Sequence, residues 1–420
     1  MPQPNTHLLL IQQTFVEYIL EGRRNYKLID QLLENYSNYA YLGSVMPDIF
    51  YFKDIFSRHR PYEQVANVRH WDGSFDYYCR MIEHAKKSDS ISQYKQLAVA
   101  LGDISHSIGD DIFHGALVYP TSMDHWRLHP RETAEAHKKL ENLIDTFLLK
   151  EKADLNPHQR HYPNLIKCHE DNSGRTLDQS IFELLNNAMV KTYGSRMEGA
   201  KENFFESEGL NYFTLFGRFK PEDPNHPIRE AYRDLMSYSR IPFYLPKNLD
   251  NYFGLRGIIP ADELSNEETN IMVSNYWNDN FFNVLKRHDI RTLLGKIPKR
   301  DPNERRWFNE ESQLLPRYTV LKLFDLSVKA MKAVVEASVA FLESDSENAS
   351  EFFKQNAKNV IYLENYNLDT GRPSMLNDEL RTLGNDLEKI YNFRLKIVDE
   401  NLIRIAGYPK NLLPPPDMAA

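Results

Sequence analysis

The stretch Gly102–Gly115, GDISHSIGDDIFHG, decides the fold because two periodicities run through it at once. Ile104, Ile108 and Ile112 recur every fourth residue, and Leu97 and Leu101 carry the same stripe upstream, as one apolar face of an α-helix. His106, Asp110 and His114 also recur every fourth residue, on a second stripe about 200° away at 100° per residue. The pattern predicts a long helix, opened by a capping box of Ser90 and Gln93 and ending at Gly115. It should be buried on one side and polar on the other. Asp103 and Asp111 fall off the polar stripe and read as solvated surface.

Working outward, Thr6 reads as the cap of a helix over 7–21, and a second helix is expected over 26–38. Pro47 disfavours a helical Met46, so Asp48 falls in a turn. The segment SRHRPYEQVANVRHWDG reads as a loop leading into a helix near 75–87. Downstream, Pro130 suits the first position of a helix over 131–150, where His137, Leu140, Glu141, Ile144 and Leu148 share one stripe. A histidine and a carboxylate on such an apolar face need partners once buried. Residues 151–176 read as a polar connection. Helical patterns resume at 177–195, 227–238, 269–287, 316–344 and 374–404, with SDSENAS as a polar break and a proline-rich, extended tail. The expected fold is mainly α: a metal-binding helical core over 1–150, the connection, and an additional helical region over 177–420.

Composition narrows the chemistry. The 420 residues carry a net charge of −8, which gives no global attraction for nucleic acid. Cys79 and Cys168 are the only cysteines, so thiolate metal sites and a disulfide framework are excluded. The first residues lack the pattern of a signal peptide, and no run reaches the roughly 18 apolar residues of a membrane span. The cytoplasm is therefore the expected compartment. Metal chemistry, if present, must come from His, Asp and Glu.

Residues four apart on a helix present their side chains together, so His106/Asp110 and His137/Glu141 each offer two ligands on one face. His106 and His114 stand two turns apart, about 12 Å along the axis, too far to share one ion easily. Asp110, between them, could reach different metals with its two oxygens. An i,i+4 pair of this kind often only supports a helix. Three such residues on one stripe followed by a second pair shift the balance towards a cluster. The remaining histidines lack such company, and His125 and His129 read as surface or substrate-side residues.

Five stretches taken in order, PNTHLLL, YLGSVMPDIFYF, VRHWDGSFDYY, LGDISHSIGDDIFHG and AHKKLENLIDTF, resemble the zinc-dependent phospholipase C superfamily. Its relatives include the catalytic domain of glycosylphosphatidylinositol-specific phospholipase D and single-strand-specific zinc nucleases. The resemblance covers roughly residues 5–150 and implies a helical bundle holding two or three zinc ions. It implies that Asp48, His70, His106 and Asp110 hold one zinc, and that Asp110 bridges to a second ion that also takes His7. His114, His137 and Glu141 would hold the remaining one. Secreted bacterial members chelate zinc through a mature N-terminal tryptophan, whereas this chain begins at Met1 with His7 six residues in. The three-residue gap from Asp110 to His114 is similar to the phospholipase D-like branch.

The implied activity is hydrolysis of a phosphodiester, phospholipid-like or soluble, by a water that the zinc cluster activates. Asp48 is a candidate general base if it is not fully committed to metal, and Asp72 a lesser one. Alternatives are a nuclease on the same scaffold, metal chemistry on a soluble small molecule, or a helical scaffold around a structural metal. A nuclease would use stacking aromatics, for which Trp71, Tyr77, Tyr78, Tyr119 and Trp126 are candidates; all five equally suit a core or pocket.

Overall fold

The computed structural model describes residues 4–53, 62–71, 73–114, 141, 144–145, 148, 152, 165–168, 176–193, 219–220, 222–238, 320–356 and 368. Among them every regular element is helical. The elements are α1 (Pro4–Leu20), α2 (Tyr26–Gly43), a 3₁₀ turn (Met46–Asp48), α3 (Ile49–Phe52), α4 (Glu63–Trp71), α5 (Ser74–Lys86) and α6 (Ser90–Phe113), followed by α7 (Gln179–Tyr193), α8 (Pro227–Tyr238), α9 (Val320–Glu343) and α10 (Ala349–Asn356). The expected all-helical architecture is present. The helices expected over 269–287 and 374–404 lie outside the described residues, and of 131–150 only Glu141, Ile144, Asp145 and Leu148 are described.

The helix α6 is the axis of the bundle. It packs against α1, α2, α5, α7 and α9, and every residue from Gln96 to Phe113 is buried. The expectation that Asp103 and Asp111 are solvated surface is therefore overturned. A helix ringed by five others has no water side, so Asp103 (1% exposed) and Asp111 (0%) are interior rather than surface residues. The predicted isoleucine stripe is buried as expected, but so is the polar stripe opposite it. Its charges must therefore be compensated by protein or by a ligand.

Several boundaries moved for identifiable reasons. The cap of α6 is Asp89, not Ser90. The Asp89 carboxylate accepts from the Ile91 and Ser92 amides at 3.1 and 3.0 Å. Thr6 does not cap α1 either, since α1 begins at Pro4. Its first-turn amides are satisfied from a distant segment: Asp145 accepts from Asn5 N at 3.1 Å and from Thr6 N and Thr6 Oγ1 at 2.7 and 2.5 Å. Burial pushes the Asp145 carboxyl up to about 7 against the pull of these donors. The second helix runs on to Gly43 past a non-helical Tyr36 (φ −133°), which is where the apolar period slips. The segment EQVANVRHW, expected as loop, is α4. It buries Val65, Ala66, Arg69 and His70, and two of those four are polar, so no apolar stripe announces it. Gly73, at φ 80°, lets the chain leave α4 and enter α5 within a few residues, a conformation that favours glycine.

The helices α2 and α6 approach each other closely at a pair of glycines. A Cβ on Gly102 would stand 2.1 Å from the Ala40 carbonyl oxygen, and one on Gly43 would stand 2.1 Å from that of Val99. Two glycines facing across the crossing thus let two backbones touch, and this contact carries the end of α2 to the level of His106. Farther out, Lys332 on α9 pairs with Glu17 of α1 at 2.7 Å, and Lys86 donates to the Phe341 carbonyl at 2.8 Å near the end of α9. That placement suits a cation at a helix C-terminus. Gly102→Ala should lower stability in urea unfolding by about 1–3 kcal/mol, the range for overpacking an interior contact. Gly22→Ala adds a Cβ with nothing within 4 Å, so its cost should come only from the positive φ of 60° there.

Candidate metal centre

Each of the expected ligand positions that the structure describes lies in one buried cluster. His7 comes from the first turns of α1, Asp48 from the 3₁₀ turn, His70 from the last turn of α4, and His106 and Asp110 from α6. His114 follows at the C-cap of α6, and Glu141 belongs to the helical residues near Asp145. All seven are 0–2% exposed. His137 lies outside the described residues, as do Asp72, Tyr119, His125, Trp126 and His129.

The two oxygens of Asp110 face two different sets of partners. Oδ2 lies 3.1 Å from His106 Nε2 and 3.6 Å from His70 Nε2, while Asp48 Oδ1 lies 3.1 and 3.6 Å from His70 and His106 Nε2 respectively. On the other side, Oδ1 lies 3.4 Å from His7 Nε2 and 3.8 Å from His114 Nε2, and His114 Nε2 is 3.2 Å from Glu141 Oε1. His7 stacks flat on His106, centroids 3.7 Å apart, and so spans the two sides. Gly109 makes room for it, since a Cβ there would stand 3.2 Å from His7 Nδ1.

Three backbone carbonyls orient the imidazoles. Nδ1 of His70 lies 2.8 Å from Ala66 O, Nδ1 of His106 lies 2.8 Å from Ser44 O, and Nδ1 of His114 lies 3.0 Å from Leu368 O. A carbonyl can only accept, so Nδ1 carries a proton and Nε2 is turned into the cluster, the arrangement expected behind metal-ligating histidines. The Ser44 carbonyl is in place because of the α2–α6 contact at Gly43 and Gly102.

Whether a cation fits can be asked of the atoms themselves. Nε2 of His7, His70 and His106, Oδ1 of Asp48 and both Asp110 oxygens are buried and make no hydrogen bond. An unsatisfied buried polar atom typically costs about 1–3 kcal/mol, so several converging on one spot are costly unless something binds between them. Two overlapping triads, His7/His106/Asp110 and Asp48/His70/His106, hold ligand-type atoms within 4.8 Å of one another. The donors are imidazole and carboxylate, a set that zinc accepts. A cation therefore fits.

The electrostatics agree. Burial disfavours charge on Asp110, but His106 and His114 outweigh it and hold the carboxyl well below its ordinary value. Burial also acts against a charged His106, yet the Asp110 and Asp48 carboxylates raise its pKa to about 9. His7, disfavoured first by burial and then by His106, is pushed down to about 4. The cluster thus attracts positive charge, while His7 keeps a free lone pair at neutral pH.

One residue behind the cluster was missed from the sequence. Arg69 is buried at 3% exposure, pairs with Asp103 and donates to the Met46 carbonyl at 2.6 Å. Its guanidinium also lies over Tyr77, 4.2 Å from the ring centroid. Burial works against its charge, but Asp103 prevails and holds the Arg69 pKa above its ordinary value. A single cation thereby ties α4 at His70 to the turn carrying Asp48 and to α6 one turn before His106. The available signal was its position next to His70, with Asp103 three residues before His106. Tyr77 and Tyr78, candidates for base stacking, are buried at 1%, with Tyr78 hydrogen-bonded to Ser338.

An all-helical bundle enclosing a buried His/Asp cluster defines the class as a candidate zinc hydrolase. Residues 6–194 match the zinc dependent phospholipase C family, to which this part of the chain is similar. No curated protein and no solved structure matches the chain. The matched region takes in α1 to α7, so α8, α9 and α10 lie beyond it. No helix among the described residues is long and apolar enough to cross a membrane.

Breaking the Arg69–Asp103 pair should be costly. Arg69→Met leaves Asp103 as an uncompensated interior charge and should lower unfolding stability by about 3–5 kcal/mol. The double variant Arg69→Met/Asp103→Leu should recover most of that loss. An unchanged single variant would rule out the bracing role.

Proposed function

We propose that the protein is a zinc-dependent hydrolase of phospholipid-type phosphodiesters, with zinc ions on either side of Asp110. The observation that carries this reading is the orientation of the Asp110 carboxylate, whose two oxygens face two separate ligand sets. On the Oδ2 side, Asp48, His70 and His106 would hold one ion. On the Oδ1 side, His7, His114 and Glu141 would hold another, joined by His137, four residues before Glu141. A third ion, if bound, would be held by His7 and Asp110. Zinc held there would supply Lewis acidity towards a water and towards phosphodiester oxygens.

The chain's own residues then have defined tasks. Asp48 directs Oδ1 at His70 and His106, which favours ligation over the role of general base. The Nδ1–carbonyl bonds hold three imidazoles at a fixed orientation, so little reorganisation is needed when substrate binds. Affinity for an anionic phosphodiester would come from the ions, which is compatible with the acidic net charge of −8. Two buried, unpaired cysteines suit a reducing compartment such as the cytoplasm.

Elemental analysis of the purified chain should find at least two zinc ions. The loaded protein should hydrolyse a phospholipid such as phosphatidylcholine, and EDTA should abolish the activity until zinc is restored. Asp110→Asn should lose most of the metal. Its hydrolysis should fall by about 10²-fold or more, as the loss of several kcal/mol of charge stabilisation implies. Less than one bound zinc per chain would end the proposal. Cleavage of single-stranded nucleic acid with no phospholipid hydrolysis would keep the metal centre and overturn the substrate class.

A further inference from the structure

The matched family region ends at residue 194, yet the metal centre is not completed within it. Leu368, far downstream, is 1% exposed and reaches the cluster with its main chain. Its amide donates to the His70 carbonyl at 2.6 Å, and its carbonyl accepts from His114 Nδ1 at 3.0 Å. These two bonds tie together the end of α4 and the end of α6. His70 stands on the Oδ2 side of Asp110 and His114 on the Oδ1 side. The other two oriented imidazoles take their carbonyls from neighbouring segments inside the family region, Ala66 for His70 and Ser44 for His106. His114 alone among these three takes its carbonyl from beyond that region.

The geometry points to Leu368 as a positioning residue, a main-chain clamp by which the region beyond the family domain sets the orientation of His114 for metal. The inference rests on the metal-binding reading given above. It assigns this part of the chain a task at the centre itself. The Leu368 carbonyl holds the proton on Nδ1 of His114 and leaves Nε2 directed at Asp110 and Glu141. Partners of this kind behind a metal ligand are typically worth 10- to 100-fold in metal affinity.

The test uses full-length protein and zinc. Leu368→Pro removes the amide donor to His70 and loosens the clamp, whereas Leu368→Ala keeps both main-chain bonds. In competition with a chelator, Leu368→Pro should bind zinc about 10- to 100-fold more weakly than wild type. Leu368→Ala should stay close to wild type. The visible absorption of the cobalt(II)-substituted protein should change in the proline variant only, since that band reports ligand geometry. Equal affinities in wild type and Leu368→Pro, or equal losses in the proline and alanine variants, would overturn the clamp.

A proline variant that fails to fold leaves a second measurement on the wild-type chain. Hydrogen exchange in the peptide containing Leu368 should slow on adding zinc, in step with the end of α6. No change there on zinc binding would overturn the inference. Absence of zinc binding by wild type would instead defeat the functional reading, and the clamp with it. Zinc binding without sensitivity to Leu368 would defeat the clamp alone.

Discussion

The Asp110 carboxylate stands at the centre of the bundle with both oxygens buried and neither hydrogen-bonded. Taking a carboxylate out of water costs several kcal/mol even after the protein relaxes around it. The cost is recovered only if positive charge converges on the same point. Much of the surrounding architecture serves that convergence. Imidazoles arrive from α1, α4 and both turns of α6 that flank Asp110, and each leaves a ring nitrogen directed inward. A cluster of this kind is costly without a cation, so a bound metal would be energetically linked to the packing of the helices.

Holding the ligands in place depends on contacts that look unremarkable one at a time. The glycine pair at the α2–α6 crossing brings the Ser44 carbonyl to His106. Arg69 braces three ligand-bearing segments through Met46 and Asp103. Asp145 caps α1 just before His7, and it lies one helical turn beyond Glu141, which meets His114, so the two carboxylates tie their shared segment to α1 and to the end of α6. These contacts hold the inward-facing nitrogens and oxygens close enough together to suit a cation. This explains why the support reaches so far from the centre.

The ligand stripe on α6 was legible because a helix imposes a known period, and period plus residue type identifies a face. The resemblance then linked that stripe to His7, Asp48, His70, His137 and Glu141. What stayed hidden had a common cause. Asp103 and Asp111 read as surface because a polar residue off an apolar stripe normally faces water. Here five surrounding helices remove the water side, a fact about neighbours rather than about α6. The helix α4 was invisible because half of what it buries is polar, Arg69 and His70, and their partners lie on other segments. Caps moved for a similar reason: Asp145 satisfies the start of α1 from a distance that local pattern cannot register.

The sequence by itself determined that the protein is helical, that it lacks the cysteines for thiolate chemistry, and which side chains have the chemistry to hold metal. Those properties follow from composition, period and residue type, which are local. Only the tertiary structure decided which oxygen of Asp110 faces which histidines, which ring nitrogen each imidazole turns inward, and that Leu368 joins the centre from beyond the family region. Those properties depend on the distance between segments far apart in the chain, and helix packing sets that distance.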